Sequence, residues 1–293
     1  MKQNQSVREA GHPPQPRKRR GAQSNFFQKF AAVPHTVWTV LFIVAPMLFV
    51  LYFAFTDSDG KFSLSNITNL SQYANVFILS IAFALIATVV CLIIGYPLAY
   101  FMSRQSPRAQ KILMVLVMLP MWCNLLIRTY ALMALLDNGG LLNSLIQKWG
   151  FEPLPIVGSY FGVVLGMVYD FLPYMVLPIF TAMTKLDRRY IEASHDLGCN
   201  AWQTMTKVII PLTLSGVVSG VTMVFVPSIS TFYISQKLGA GKIDLVGDTI
   251  ERLFQNPSTY NVGAAMSLVM MILIILSVAV MNKFSDEEGG MVP

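Results

Sequence analysis

Six apolar stretches, at residues 37–55, 76–102, 112–136, 156–181, 208–235 and 262–281, limit what this chain can fold into. A helix rises 1.5 Å per residue, so roughly 20 residues cross the ~30 Å hydrocarbon core of a bilayer. Strands of a membrane barrel are about half that length and alternate in polarity. None of the six stretches does so. The charged fraction is 12% and the hydrophobic fraction 54%, against about 25% charged in an ordinary soluble domain. That balance excludes a soluble globular enzyme and a disordered chain. The expectation is an all-α polytopic membrane protein with six transmembrane helices. Its domains are a basic tail at 1–30, a membrane domain at 31–284 and a short tail at 285–293. The first stretch is too long for a signal h-region and has no small-residue cleavage site before Thr56 and Asp57, so it reads as an uncleaved span.

Charge sets the orientation. With the N-terminus inside, 15 of the 21 Lys and Arg residues fall in inner segments, including Arg17, Lys18, Arg19 and Arg20. Five fall in outer loops, at Lys61, Lys148, Lys237, Lys242 and Arg252, and Arg128 lies inside a span. This follows the positive-inside rule and predicts cytoplasmic termini. The net charge of +6 is therefore a signal of topology against membrane lipid, and nucleic acid is not expected as a partner.

Metal chemistry and nucleophilic catalysis find no footing. Cys91, Cys123 and Cys199 lack CxxC or Cys/His spacing, and His35 and His195 are isolated. Asn66-Ile67-Thr68 is a glycosylation sequon, without meaning in a bacterial cell. Gly239-Ala240-Gly241-Lys242 is faintly like a phosphate-binding loop. Gln236 stands where its first glycine is required, and Ile243 where Ser or Thr should be. Prolines at 46, 97, 120, 173, 178 and 227 predict kinks, and Ser228 to Tyr233 suggest polar backbone lining a cavity. Gly162-xxx-Gly166 and Gly216-xxx-Gly220 predict close helix packing. Residues 245–254 are partly amphipathic, as in a short helix at the outer mouth.

The inner loop at 185–210 carries the most information. Asp187 can cap a helix that Gly198 terminates, and Asn200 with Gln203 has capping-box spacing for a second helix. Pro211 stands next, near the start of span five. Tyr190, Ile191, Leu197 and Trp202 are apolar groups that a solvated loop does not need, and they predict burial against a partner.

This loop resembles the signature of permease subunits of ABC importers: Glu-Ala-Ala, three residues, Gly, nine residues, Ile, any residue, Leu, Pro. Here stand Glu192-Ala193-Ser194, Gly198, then Val208, Ile210 and Pro211 at the same spacing. Ser194, Val208 and Ile210 are conservative departures. The resemblance covers about residues 37–283. It is nearest to spermidine/putrescine permeases, and to the first of their two permease subunits. Arg128-Thr129-Tyr130-Ala131, Asn138 to Asn143, Leu172 to Pro178 and Phe232 to Ser235 carry that part. Iron, sulfate and other solute importers share the layout.

The resemblance implies the fold of a type I ABC importer permease in the cell membrane of a prokaryote. It implies a second permease, a different but homologous chain, that completes the path. It also implies two cytoplasmic ATPases, which bind ATP and magnesium and grip the loop through Glu192, Ala193, Ser194, Asp196, Gly198 and Pro211. An external solute-binding protein would deliver the solute, and this chain would need no cofactor and hydrolyse nothing.

Polyamines call for carboxylates, aromatic faces and oxygen acceptors. Asp170 is the one acid within a span, beside Tyr169 and Tyr174, and an intramembrane acid is a functional candidate by default. It either contacts solute or balances Arg128, to which a gating or structural role is assigned. On straight helices the two would be offset by about 9 Å along the membrane normal. Trp122, Asn124, Tyr130, Phe232 and Tyr233 complete the candidates. A lone ion-coupled secondary transporter is the rival class, but inverted repeats and several buried ionisable groups are not evident in the sequence.

Overall fold

The structure, a computed structural model, describes residues 33–57 and 60–289, with side chains as far as Lys283. The expected tail at 1–30 and residues 290–293 lie outside the described residues. Among the described residues the regular elements are helical, apart from an isolated bridge between Thr56 and Phe62.

The chain divides into two units between Phe49 and Val50. In the first, Pro46 has no N–H to offer the carbonyl of Phe42, and a π-helical stretch, Val40–Val44, directly precedes its turn. Trp38, Leu41, Phe42, Leu48 and Phe49 are exposed, as suits side chains that meet lipid.

In the second unit, the helices are α1 (Ala74–Ser103), α2 (Pro107–Trp122), α3 (Leu125–Leu136), α4 (Leu141–Lys148) and α5 (Tyr160–Lys185). They are followed by α6 (Arg188–Asp196), α7 (Ala201–Leu212) and α8 (Leu214–Ser230). The last are α9 (Tyr233–Leu238), α10 (Val246–Phe254) and α11 (Tyr260–Gly289). Helices α1, α5 and α8 pack against one another, and α8 and α10 pack on α11. Ala87, Cys91, Met102, Met167, Met175 and Ile179 are buried in the centre of the first group. Ala84, Phe225, Ile229, Val246, Ala265 and Met266 form a second buried cluster.

Five helical segments are long and apolar enough to cross a membrane: Val33–Ala54, Ser65–Ser103, Leu125–Lys148, Tyr160–Lys185 and Pro257–Lys283. The bent pair Ala201–Leu212 and Leu214–Ser230, which meet at 67°, makes a sixth when it is counted as one span. The six-span expectation therefore stands, with corrected boundaries. The expected third span, 112–136, is interrupted at Cys123 and Asn124 and contributes to two helices, α2 and α3. Pro120 weakens the last turn of α2 by withholding a backbone donor from the Leu116 carbonyl. Asn124 fixes the break, because its Oδ1 accepts the Leu126 N–H at 2.8 Å and starts a new helix. The fourth span lies at Tyr160–Lys185 rather than 156–181. The fifth ends at Ser230, five residues early, and α9 is a separate helix. Helix α11 runs to Gly289, into the stretch expected to be tail. The short helix expected at 245–254 is present as α10.

Three of the four paired glycines, Gly166, Gly216 and Gly220, act as expected, whereas Gly162 meets the backbone of Ile156 just before its own helix. A Cβ on Gly216 would lie 2.6 Å from Ala182 Cβ and 2.9 Å from the Pro178 carbonyl oxygen, and one on Gly166 would collide with Leu238 and Ile234. Backbone is thus pressed against a neighbouring helix at both positions. Gly216→Leu is expected to cost about 1–3 kcal/mol through overpacking, seen as lower subunit abundance in membranes. Ser215→Leu, on the exposed side of the same turn, is expected to leave abundance unchanged.

Candidate functional site

Two groups of residues stand out, one in the loop between α5 and α8 and one within the membrane domain. In the loop, Asp187 Oδ1 accepts the Arg189 N–H at 3.0 Å and starts α6. Gly198 stands at φ +80°, the left-handed region that a side chain disfavours. Around it the Leu197 N–H reaches the Ala193 carbonyl and the Cys199 N–H reaches the Ser194 carbonyl at 3.0 Å, which satisfies carbonyls at the helix end. Asn200 and Gln203 then bond reciprocally, at 2.8 and 3.0 Å, and start α7. The result is the expected helix, glycine turn and helix.

The two helices are also tied by the residue that departs from the motif. Ser194 is buried, and its hydroxyl lies 3.0 Å from that of Thr204 on α7 and donates to the Ile191 carbonyl at 2.7 Å. An alanine there would make neither bond. Glu192, Ala193, Asp196 and Gly198 are exposed. Leu197 is 85% and Trp202 75% exposed, and Tyr190 is exposed as well, so the hairpin presents apolar side chains that the described residues do not cover. Pro211 lies in the last turn of α7, before the bend. A π-helical stretch, Met205–Ile209, precedes it, and Thr213 closes the bend by donating to the Ile209 carbonyl at 2.8 Å. The Tyr96 hydroxyl on α1 meets that of Thr213 at 3.0 Å. The bend is therefore joined directly to the membrane helices.

Within the membrane domain, Arg128 Nε and Asp170 Oδ1 are 2.5 Å apart. This is a charge contact and not an aligned hydrogen bond. Asp170 is wholly buried and Arg128 is 8% exposed. The 9 Å offset expected of straight helices is removed by the break after Trp122, which restarts the helix that carries Arg128. Its Nη1 donates to the Pro120 carbonyl at 3.1 Å, across that break. The Thr129 hydroxyl lies 3.3 Å from Asp170 Oδ2, and Tyr169 places its ring 5.8 Å from the guanidinium carbon. Of the two roles open to Asp170, pairing with Arg128 is the one this geometry realises. Burial keeps its carboxylate away from any surface of the chain.

The remaining candidates separate. Trp122 and Asn124 are exposed at the break, and Asn124 serves as a helix cap. Tyr174 packs against Phe171, with ring centroids 6.3 Å apart. Phe232 lies at the break between α8 and α9 and lines a cavity of about 420 Å³ with Ser230, Glu251 and Met271. Tyr130 and Tyr233 come together, edge to face, with centroids 5.8 Å apart. Lys237, Glu251 and Asp248 are not among the sequence candidates. Asp248, between spans five and six, is buried, and burial pushes its carboxyl up to about 6 against the lowering effect of Ser235 and the Leu245 N–H. Its place at the third position of an amphipathic helix was the available signal.

A family model described as "Binding-protein-dependent transport system inner membrane component" matches residues 93–287. That is more than half of the chain, and it takes in the whole glycine hairpin. The chain belongs to this family.

Relatives of this inner membrane transport component agree. It is 37% identical over 267 residues to "Spermidine/putrescine transport system permease protein PotB" of Haemophilus influenzae, covering 88% of this chain and 93% of that one. To the Escherichia coli protein of the same description it is 36% identical over 253 residues, covering 83% and 92%. The fold matches a chain of a bacterial alginate ABC transporter solved with an alginate-bound periplasmic protein. There the TM-score is 0.72 and the identity 16%, over 89% of this chain and 94% of that one. The architecture is that of a type I importer permease, all-α and multi-pass.

Proposed function

We propose that the chain is one of two permease subunits of an ATP-driven importer of spermidine- and putrescine-like polyamines. The observation that carries this reading is the identity to polyamine permeases along nearly the full length of both chains. The exposed hairpin of α6 and α7 supports coupling to cytoplasmic ATPases, which bind ATP and magnesium. An external binding protein delivers the solute, and a second, homologous permease completes the path. ATP-driven closure of the ATPases moves the hairpin, and the bend at Thr213, bonded to Tyr96, passes that motion to the helices.

The test is reconstitution of this chain with its neighbouring permease, ATPase and binding protein. Uptake of radiolabelled spermidine should require ATP and the binding protein. Uptake driven by a proton gradient without the ATPase would favour a secondary transporter, and uptake of another solute alone would overturn the polyamine assignment.

The orientation has its own test. Because Cys123 is exposed and Cys199 partly so, both are first replaced by alanine. Thiols introduced at Lys148 and Lys242 are then expected to react with an impermeant reagent added outside. One introduced at Arg189 is expected to react only after permeabilisation. The reverse pattern would invert the proposed topology.

A further inference from the structure

We propose that the cavity between the α6–α7 hairpin and the ends of α1 and α5 holds the phosphate of an anionic phospholipid, gripped by Arg104 and Arg188. The proposal rests on the topology proposed above, which puts these helix ends at the inner face of the membrane. The cavity has a volume of about 140 Å³ and takes its walls from α1, α2, α5, α6 and α7. Arg104 directly follows α1, and Arg188 is the first residue of α6. Among the described residues no carboxylate pairs with either one. The acids of the ion pairs there are Asp170, Asp187 and Asp244, which face Arg128, Arg189 and Arg252. The Arg104 guanidinium carbon lies 4.9 Å from the centroid of the Tyr100 ring, an anchor that restricts its swing. Two cations on one small cavity repel each other, and a bound anion removes that repulsion.

The rest of the lining selects the anion. The Ser103 hydroxyl and the Gln110 amide are spent on the carbonyls of Tyr100 and Ser103, at 2.8 and 2.9 Å. The two guanidinium groups therefore supply the donors, and their planar fork suits phosphate oxygens. Met183 and Ile209 are buried and Leu186 and Ile191 half-buried, so an apolar floor lies under the cationic rim. Free phosphate gains nothing from such a floor. A phospholipid carries glycerol and acyl carbons beside its phosphate, so both parts of the cavity are matched. The position has a consequence for coupling. Arg104 belongs to the membrane helices and Arg188 to the hairpin, so a phosphate held by both clamps one to the other. The clamp sits beside Ile209, whose carbonyl accepts the Thr213 hydroxyl at the bend.

The experiment uses the complete transporter in vesicles of phosphatidylcholine, with or without phosphatidylglycerol. Phosphatidylglycerol retained by the purified complex is counted by native mass spectrometry, with ATP-driven uptake and subunit abundance measured alongside. Arg104→Gln and Arg188→Gln are each expected to weaken retention about fivefold, and more together. Both should remove the gain in uptake that phosphatidylglycerol gives the wild type. Lysine at both positions should retain more lipid than glutamine at both, because the charge remains. Arg108→Gln and Lys111→Gln remove exposed cations that do not line the cavity, and should change retention little. If they weaken it equally, the attraction is diffuse and the proposal is overturned. It is also overturned if inorganic phosphate replaces phosphatidylglycerol in supporting uptake. Lost co-purification of the ATPase with unchanged lipid retention would assign the two arginines to a protein contact and overturn it as well. Unchanged retention with the expected labelling at Arg189 overturns this proposal and leaves the topology standing. Reversed labelling overturns the inner-face assignment whatever the retention.

Discussion

Replacing Gly198 by valine is expected to reduce ATP-driven uptake tenfold or more while the subunit still reaches the membrane. Its φ of +80° costs a non-glycine residue roughly 1–2 kcal/mol, and more if β-branched. Nothing lies within 4 Å of a Cβ built there, so the penalty is conformational and not a collision. The turn relieves it by shifting to negative φ, which swings α7 away from its bond with α6 at Ser194 and Thr204. The exposed Leu197 and Trp202, on either side of the turn, then change their relative placement, and with it the proposed docking of an ATPase. Gly198→Asn, which tolerates the left-handed region better, should retain most uptake. Co-purification of the ATPase with each variant separates lost docking from lost coupling. Normal uptake by the valine variant would refute the assignment of this hairpin as the coupling element. Glu192→Lys, an exposed charge reversal, is expected to weaken co-purification less than Gly198→Val.

Asp170→Asn is expected to cause the largest loss of subunit. It would leave the Arg128 guanidinium, only 8% exposed, with the Pro120 carbonyl and the Tyr169 ring as its partners. Breaking a buried pair by removing one charge costs about 3–5 kcal/mol. Abundance in membranes should fall severalfold, and Arg128→Gln in the same chain should restore most of it, since a neutral pair of similar shape strands no charge. Uptake per folded subunit in the double variant then reads any role beyond stability. If Asp170→Asn retains full abundance and loses uptake, the pair acts in the transport cycle and the structural assignment fails.

The hairpin of α6 and α7 was legible in the sequence, because each of its controls is local. Asp187 caps two residues ahead, Gly198 supplies its own left-handed turn, and Asn200 and Gln203 satisfy each other across one helical turn. Membrane crossing was legible for a similar reason. A run of about 20 apolar residues meets the length of the hydrocarbon core whatever its neighbours are. The positions of Gly166 and Gly216 against neighbouring helices followed from their spacing, although the partners did not.

Other features depended on residues distant in sequence. Pro120 signalled a kink, yet whether the helix bends or stops was decided by Asn124 capping a new helix and by Arg128 taking the Pro120 carbonyl. Pro173 and Pro178, by contrast, lie within an unbroken α5, held by packing against α1 and α8. That restart after Trp122 is what brings Arg128 to Asp170, 42 positions along the chain, where straight helices would have kept them about 9 Å apart. The meeting of Tyr130 with Tyr233 and Lys237 has the same origin. By itself the sequence determined how many times the chain crosses the membrane and the form of its exposed hairpin, because apolar length and helix caps act within a few residues. Only the tertiary structure decided which charges are neutralised and which rings close on a cation, because those depend on where interrupted helices restart against their neighbours.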